Sequence, residues 1–146
     1  MKELPLDGIH YTGADILPSL ILSNSSNYAN SSIEFKILDL TTDDLPLVDL
    51  ILCRECLGHL SNRLAGKTLG NIRTSGSEYF LSTTFPAVAT NRNIPTGSWR
   101  PINLTKPPFD LPQPRQSIDD SDNQPDGLPK AVLGLWRVAD IPANRS

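Results

Sequence analysis

Asp49-Leu-Ile-Leu-Cys53-Arg-Glu55 is an apolar run that stops at a polar switch, and two earlier segments end the same way: Tyr11-Thr-Gly-Ala-Asp15 and Phe35-Lys-Ile-Leu-Asp39. In an open parallel sheet the strand interiors are buried on both faces and read as apolar runs, while ligands sit just beyond the strands' carboxyl ends. The three segments are therefore expected to be strands of a Rossmann-like α/β sheet. No glycine-rich G-x-G loop precedes Asp15. The phosphate or carboxylate cradle expected at the start of such a domain is thus missing.

Outward from these segments, Ile9 to Leu17 reads as a strand ending in Asp15. Pro18 suits the first turn of a following helix, where its missing N–H costs nothing. That helix is expected to run to about Tyr28, with a second half weakened by Ser23-Asn-Ser-Ser-Asn27. Ile33 to Leu40 reads as the next strand, and Thr41-Thr-Asp-Asp-Leu-Pro46 is too short and turn-rich for an ordinary crossover helix. Leu47 to Cys53 is the third strand. Ser61 is placed to cap a helix with Ala65, Leu69 and Ile72 on one face and Gly76 at its end. Glu78 to Phe85 is a fourth strand.

Character changes at Pro86. Seven of the thirteen prolines lie between Pro86 and Pro114, which excludes a long helix or central strand and marks an extended loop, 86–115. Trp99, Ile102, Leu104 and Phe109 argue that this loop is ordered. Ser117 to Asp119 and Ala131 to Ile141 then suggest a closing antiparallel hairpin around a polar, turn-rich stretch.

The length of 146 residues suits one domain, and 38% hydrophobic content suffices for one core. Thirteen Lys and Arg against sixteen Asp and Glu give a net charge of −3, so no global field favours nucleic acid or an acidic membrane. No stretch approaches the roughly 18 to 20 apolar residues of a membrane span, and Met1-Lys-Glu-Leu-Pro5 is no signal peptide. A soluble, cytoplasmic protein is expected.

In order strand, helix, strand, strand, helix, strand, loop, hairpin, the chain resembles class I S-adenosylmethionine-dependent methyltransferases from their second strand to their end. Four passages carry the resemblance: Tyr11-Thr-Gly-Ala-Asp15-Ile16, Ile37-Leu-Asp39-Leu40, Asp49-Leu-Ile-Leu-Cys53-Arg-Glu-Cys56-Leu-Gly-His59-Leu60 and Leu133-Gly-Leu-Trp136-Arg-Val-Ala-Asp140. A narrower group of bacterial-type methyltransferases is similar in Asn71-Ile-Arg-Thr-Ser-Gly-Ser77 and Pro95-Thr-Gly-Ser-Trp99-Arg-Pro-Ile-Asn103-Leu. The resemblance implies a mostly parallel sheet with a closing antiparallel hairpin, truncated so that the family's first strand, glycine-rich turn and first helix are lacking.

It also implies roles. Asp15 would accept hydrogen bonds from the ribose hydroxyls of S-adenosyl-L-methionine, with Ile16 beside it; Asp39 would face the adenine amino group and Leu40 the adenine plane. Cys53 and Arg54 would wall the methionine part. Methyl transfer is a displacement in which positioning dominates and a base is needed only where the acceptor must lose a proton. His59 is the candidate base and Glu55 the alternative, both just past the third strand. Asn91, Trp99, Arg100 and Asn103 on the long loop would read the acceptor, a small molecule, glycan or protein. Lacking the glycine turn, the chain is expected to bind cofactor poorly, and a partner chain completing the sheet would change that.

Two other functions are open to the sequence. A degenerate sheet could serve as a non-catalytic interaction module, a pseudoenzyme. Cys53-Arg-Glu-Cys56 has the C-x-x-C spacing of a dithiol protein, and with His59 even three zinc ligands. Against these, no second ligand pair completes a closed tetrahedral site, and Glu55 between the thiols opposes their ionisation, so no metal is expected. The acids from Asp119 to Asp126 lack the pattern of a calcium loop and read as a solvated turn.

Overall fold

The computed structural model describes residues 7–122, 125 and 127–143. In chain order its elements are β1 (Tyr11–Asp15), α1 (Pro18–Tyr28), β2 (Ile33–Ile37), β3 (Leu50–Cys53), α2 (Asn62–Thr74), β4 (Tyr79–Thr84), β5 (Gln116–Asp119) and β6 (Val132–Arg137). Single 3-10 turns follow β3 (Leu57–His59) and β6 (Val138–Asp140). Where the sequence reads as one domain, the structure separates two compact units, one ending at Asp43 and one starting at Asp44. The boundary falls in the short stretch that is too turn-rich to build a crossover helix. The expectation placed on Met1 to Leu6 lies outside the described residues, as do positions 123, 124 and 126 of the acidic turn.

In the first unit β1 and β2 pair in parallel from Tyr11↔Ile33 to Asp15↔Ile37, with α1 as the connection. Gly13 stands opposite Phe35, and a Cβ there would come within 2.6 Å of the Phe35 ring, so the glycine lets the aromatic lie flat on its neighbour strand. Tyr11 meets the same ring edge-on with centroids 6.3 Å apart. α1 stays helical through its Ser/Asn-rich half, where Asn27 Nδ2 donates back to Ser23 O at 2.8 Å. Its buried side chain is Ile21.

The second unit is a four-stranded sheet in the order β3-β4-β6-β5. β3 and β4 are parallel, and β6 runs antiparallel to both β4 and β5, giving the expected hairpin. The sheet is therefore mixed. β3 is an edge strand of this sheet, and its Leu50 and Leu52 are nearly half exposed. α2 starts where the sequence places it: Ser61 Oγ accepts from Leu64 N at 3.3 Å, and Gly76 past its end takes a positive φ of 74°. Ala65, Leu69 and Ile72 are buried together with Phe80, Phe85 and Trp136.

Five strands, β1, β2, β3, β4 and β6, are shorter than the segments the sequence marks for them. β6 ends at Arg137 because its partner β4 begins at Tyr79; Val138 N makes one more bond, to Glu78 O at 3.0 Å, and the chain then turns. Hydrophobicity marks where a segment is buried, whereas a strand lasts only as long as its partner does. The long loop is ordered, with Ile94, Ile102, Leu104, Phe109 and Leu111 buried.

Candidate functional site

The parallel register of the first unit decides where its two acids stand. Asp15 is level with Ile37, and Leu38 N donates to Asp15 O at 3.0 Å, so Asp15 and Asp39 leave adjacent strands at the same, carboxyl end. Each also orders its own turn: Asp15 Oδ1 accepts from Leu17 N at 2.9 Å, and Asp39 Oδ1 from Thr41 N at 2.8 Å and Thr41 Oγ1 at 2.7 Å. Asp15 Oδ2 has no hydrogen-bond partner among the described residues. Ile16 is exposed beside it and Leu40 is half-buried beside Asp39.

The Thr41 backbone N–H, and then its hydroxyl, hold the Asp39 carboxyl below the usual carboxylate range. Carboxylate oxygens accept hydrogen bonds from hydroxyl or amino groups, the chemistry that a nucleoside offers. A depressed carboxyl contributes stability that is present above its unfolded value and is lost as pH falls through the folded one. Acidification below the carboxylate range is thus expected to loosen the 39–43 turn. Amide NMR checks this: the Thr41 resonance should move with the Asp39 titration, at lower pH than the bulk of the exposed acids. A Thr41 amide indifferent to that titration would contradict it.

In the second unit, the end of β3 gathers the other candidates. Cys53 is buried, and its carbonyl oxygen accepts from Ser82 Oγ at 2.9 Å. Hydrogen bonding to Cys56, and then burial, push the Cys53 thiol well up, which opposes a reactive thiolate. Neither cysteine is in a disulfide, and among the described residues no cluster of three or more His, Cys, Asp or Glu could hold a metal ion. Arg54 forks onto Asp120, Nε to both oxygens at 3.1 Å and Nη2 to Oδ1 at 2.8 Å, with its side chain still half exposed. This ties the end of β3 to the β5–β6 hairpin, 66 residues along the chain.

Glu55 takes a positive φ of 52°, held there by its N–H donating to Thr83 Oγ1 at 2.9 Å. Its carboxylate is exposed and makes no hydrogen bond among the described residues. His59 closes the 3-10 turn. Its ring is exposed, with Nδ1 3.1 Å from Ser98 O, and its own carbonyl accepts from Gly97 N at 2.9 Å.

The loop residues expected to read an acceptor make the following bonds within the loop and to its neighbours. Asn91 Nδ2 donates to Asn103 O, Lys106 O and Pro107 O, at 2.8 to 3.2 Å. Asn103 Nδ2 donates to Pro86 O and Val88 O, and its Oδ1 accepts from both Thr105 groups. Arg100 is fully buried and donates to Leu57 O, Gly58 O, Arg92 O and Asn62 Oδ1. Trp99 is half-buried and edge-on to Phe85, with ring centroids 6.0 Å apart. These side chains hold the loop. The cause is a shortage of donors: each proline removes a backbone N–H, so carbonyls buried by a proline-rich loop must take theirs from side chains.

No family model and no curated sequence matches the chain. Solved structures do. Human N-acetylserotonin methyltransferase, in complex with SAM, superposes with a TM-score of 0.56 at 16% identity, covering 88% of this chain and 41% of that one. Burkholderia thailandensis 1,6-didemethyltoxoflavin-N1-methyltransferase, with S-adenosylhomocysteine bound, gives 0.58 at 17% identity over 86% of this chain and 60% of that one. The fold is that of the class I methyltransferases. A pericyclic reaction enzyme shares it too, with a TM-score of 0.59 at 13% identity over 88% of this chain and 36% of that one. A methyltransferase fold therefore leaves the reaction to be argued from the site. The chain spans between about a third and three fifths of these structures' lengths. Among the described residues, no helix is long and apolar enough to cross a membrane.

Proposed function

We propose that the chain is part of a methyltransferase that takes its methyl group from S-adenosyl-L-methionine. The observation that carries this reading is the pair of carboxylates, Asp15 and Asp39, at one rim of adjacent parallel strands. In the fold shared with the neighbours this suits an adenosine: Asp15 would accept from the ribose hydroxyls through its uncommitted oxygen, and ionised Asp39 from the adenine amino group, with Ile16 and Leu40 as apolar neighbours. Bound cofactor would supply an electrophilic methyl on a sulfonium. The chain's own part would be to orient, and to take a proton where the acceptor must lose one; His59 is the base we favour and Glu55 the alternative. Backbone groups at Cys53 remain candidates for the methionine part. Cys53 and Cys56 as thiols outside any disulfide are in keeping with a reducing compartment, the cytoplasm being the one proposed.

Calorimetry with S-adenosylhomocysteine tests the reading. Asp15→Ala should abolish the binding heat that the parent chain gives at up to millimolar ligand. Heat that survives Asp15→Ala unchanged would refute the assignment of the rim. A second reading, a non-catalytic module completed by a partner chain, is favoured by the exposed edge strand β3 and would be adopted if the parent gives no heat at all.

A further inference from the structure

We infer that Arg100 is a positioning residue that fixes the tautomer of His59. The inference rests on the proposed role of His59 for its purpose, though not for its test. The Arg100 side chain is buried completely, and among the described residues no carboxylate is one of its hydrogen-bond partners. Burying a charge without a counter-ion costs several kcal/mol unless hydrogen bonds offset it. A well-packed apolar side chain would fill the same space at less cost.

What the guanidinium does that an apolar group could not is to grip both sides of His59. Nη1 holds the carbonyls of Leu57 and Gly58, at 3.0 and 2.8 Å, immediately before it; Nη2 holds Asn62 Oδ1, at 2.8 Å, just after it. The backbone completes the clamp. Arg100 N donates to Gly58 O at 3.2 Å and Gly97 N to His59 O at 2.9 Å. A Cβ at position 58 would come within 3.1 Å of Arg100 O, so the two strands of chain touch through the glycine.

Held in this way, His59 Nδ1 lies 3.1 Å from Ser98 O. A carbonyl oxygen only accepts, so the neutral ring must carry its proton on Nδ1 and leave the Nε2 lone pair outward. The clamp thus presets a proton-accepting nitrogen before any ligand arrives. An imidazole free in water would sample both tautomers and many directions.

The test is long-range proton–nitrogen NMR of the 15N-labelled chain at a pH where the histidines are neutral, with His10 as the exposed internal reference. In the parent, His59 should show a pyrrole-like Nδ1 and a pyridine-like Nε2. Arg100→Met should collapse this pattern toward the averaged signals of His10. If that variant fails to fold, Asn62→Ala, which removes one leg of the clamp, should move His59 in the same direction by a smaller amount. A parent protonated on Nε2 would overturn the inference, as would a folded Arg100→Met, or failing that Asn62→Ala, with parent-like His59 signals. A purely structural arginine would lower the unfolding temperature and leave the tautomer alone. The readout needs no cofactor, so cofactor binding sensitive to Asp15→Ala could stand while this inference falls, or the reverse.

Discussion

Trp136→Ala is expected to destabilise the chain by about 3–5 kcal/mol, the range for deleting a large buried aromatic. The indole is 1% exposed, lies against Phe80 with ring centroids 6.0 Å apart, and covers Gly134 two residues back along β6. A side chain at position 134 would collide with it. Its Nε1 also donates to Pro112 O at 2.8 Å, tying the central antiparallel strand to the proline-rich loop. Domains are stable by only about 5–15 kcal/mol in total, so the loss would remove much of the margin. Urea unfolding measures it. Trp136→Phe should fall between the two, keeping most of the apolar volume while orphaning the Pro112 carbonyl at a cost of about 1–3 kcal/mol. A Trp136→Ala variant within 1 kcal/mol of the parent, roughly the size of an ordinary surface change, would show that the sheet is not held from this point.

The second large effect is expected at Asn103. Its amide nitrogen serves Pro86 O and Val88 O, its amide oxygen serves Thr105, and its backbone N–H donates to Asn91 Oδ1 at 2.8 Å. Asn103→Ala leaves the part-buried carbonyls of Pro86 and Val88 without their donor and the Thr105 N–H and hydroxyl without their acceptor, and at the low end of about 1–3 kcal/mol per orphaned group the loss should reach about 2–4 kcal/mol. Asn103→Asp separates packing from hydrogen bonding. It keeps the shape but turns the donor that faces two carbonyls into an acceptor, and it buries a charge, so it should be less stable than the alanine variant. Chemical denaturation gives the energies, and limited proteolysis within 86–115 should show the loop opening first. Equal stability of Asn103→Asp and the parent would refute the donor-shortage account of the loop.

The same account explains which parts of the site were legible in the sequence. Asp15 and Asp39 could be found because a strand end announces itself locally, by an apolar run and then an acid, and parallel pairing carries that end to a common rim. Ser61 as a cap and Ala65, Leu69 and Ile72 as a buried face follow from helix geometry alone. The partners of Asn91, Arg100 and Asn103 were not legible for a physical reason: a polar side chain in a loop normally faces water, and nothing in its neighbours along the chain tells which carbonyls the fold will bury. Nor was the ion pair of Arg54, its partner Asp120 lying far along the chain. The clamp on His59 had no signal to offer, since Ser98 and Gly97 take part through their backbones.

What the amino-acid order determined by itself is the set of elements, their sequence, and the acids at their carboxyl ends, because helix caps, periodicity and proline act over a few residues. What only the tertiary structure decided is where the strands stop, how the chain separates at Asp43 and Asp44, and which polar groups serve the fold rather than a ligand. Those outcomes depend on the partner that each buried donor and acceptor finds, and here the partners lie tens of residues apart.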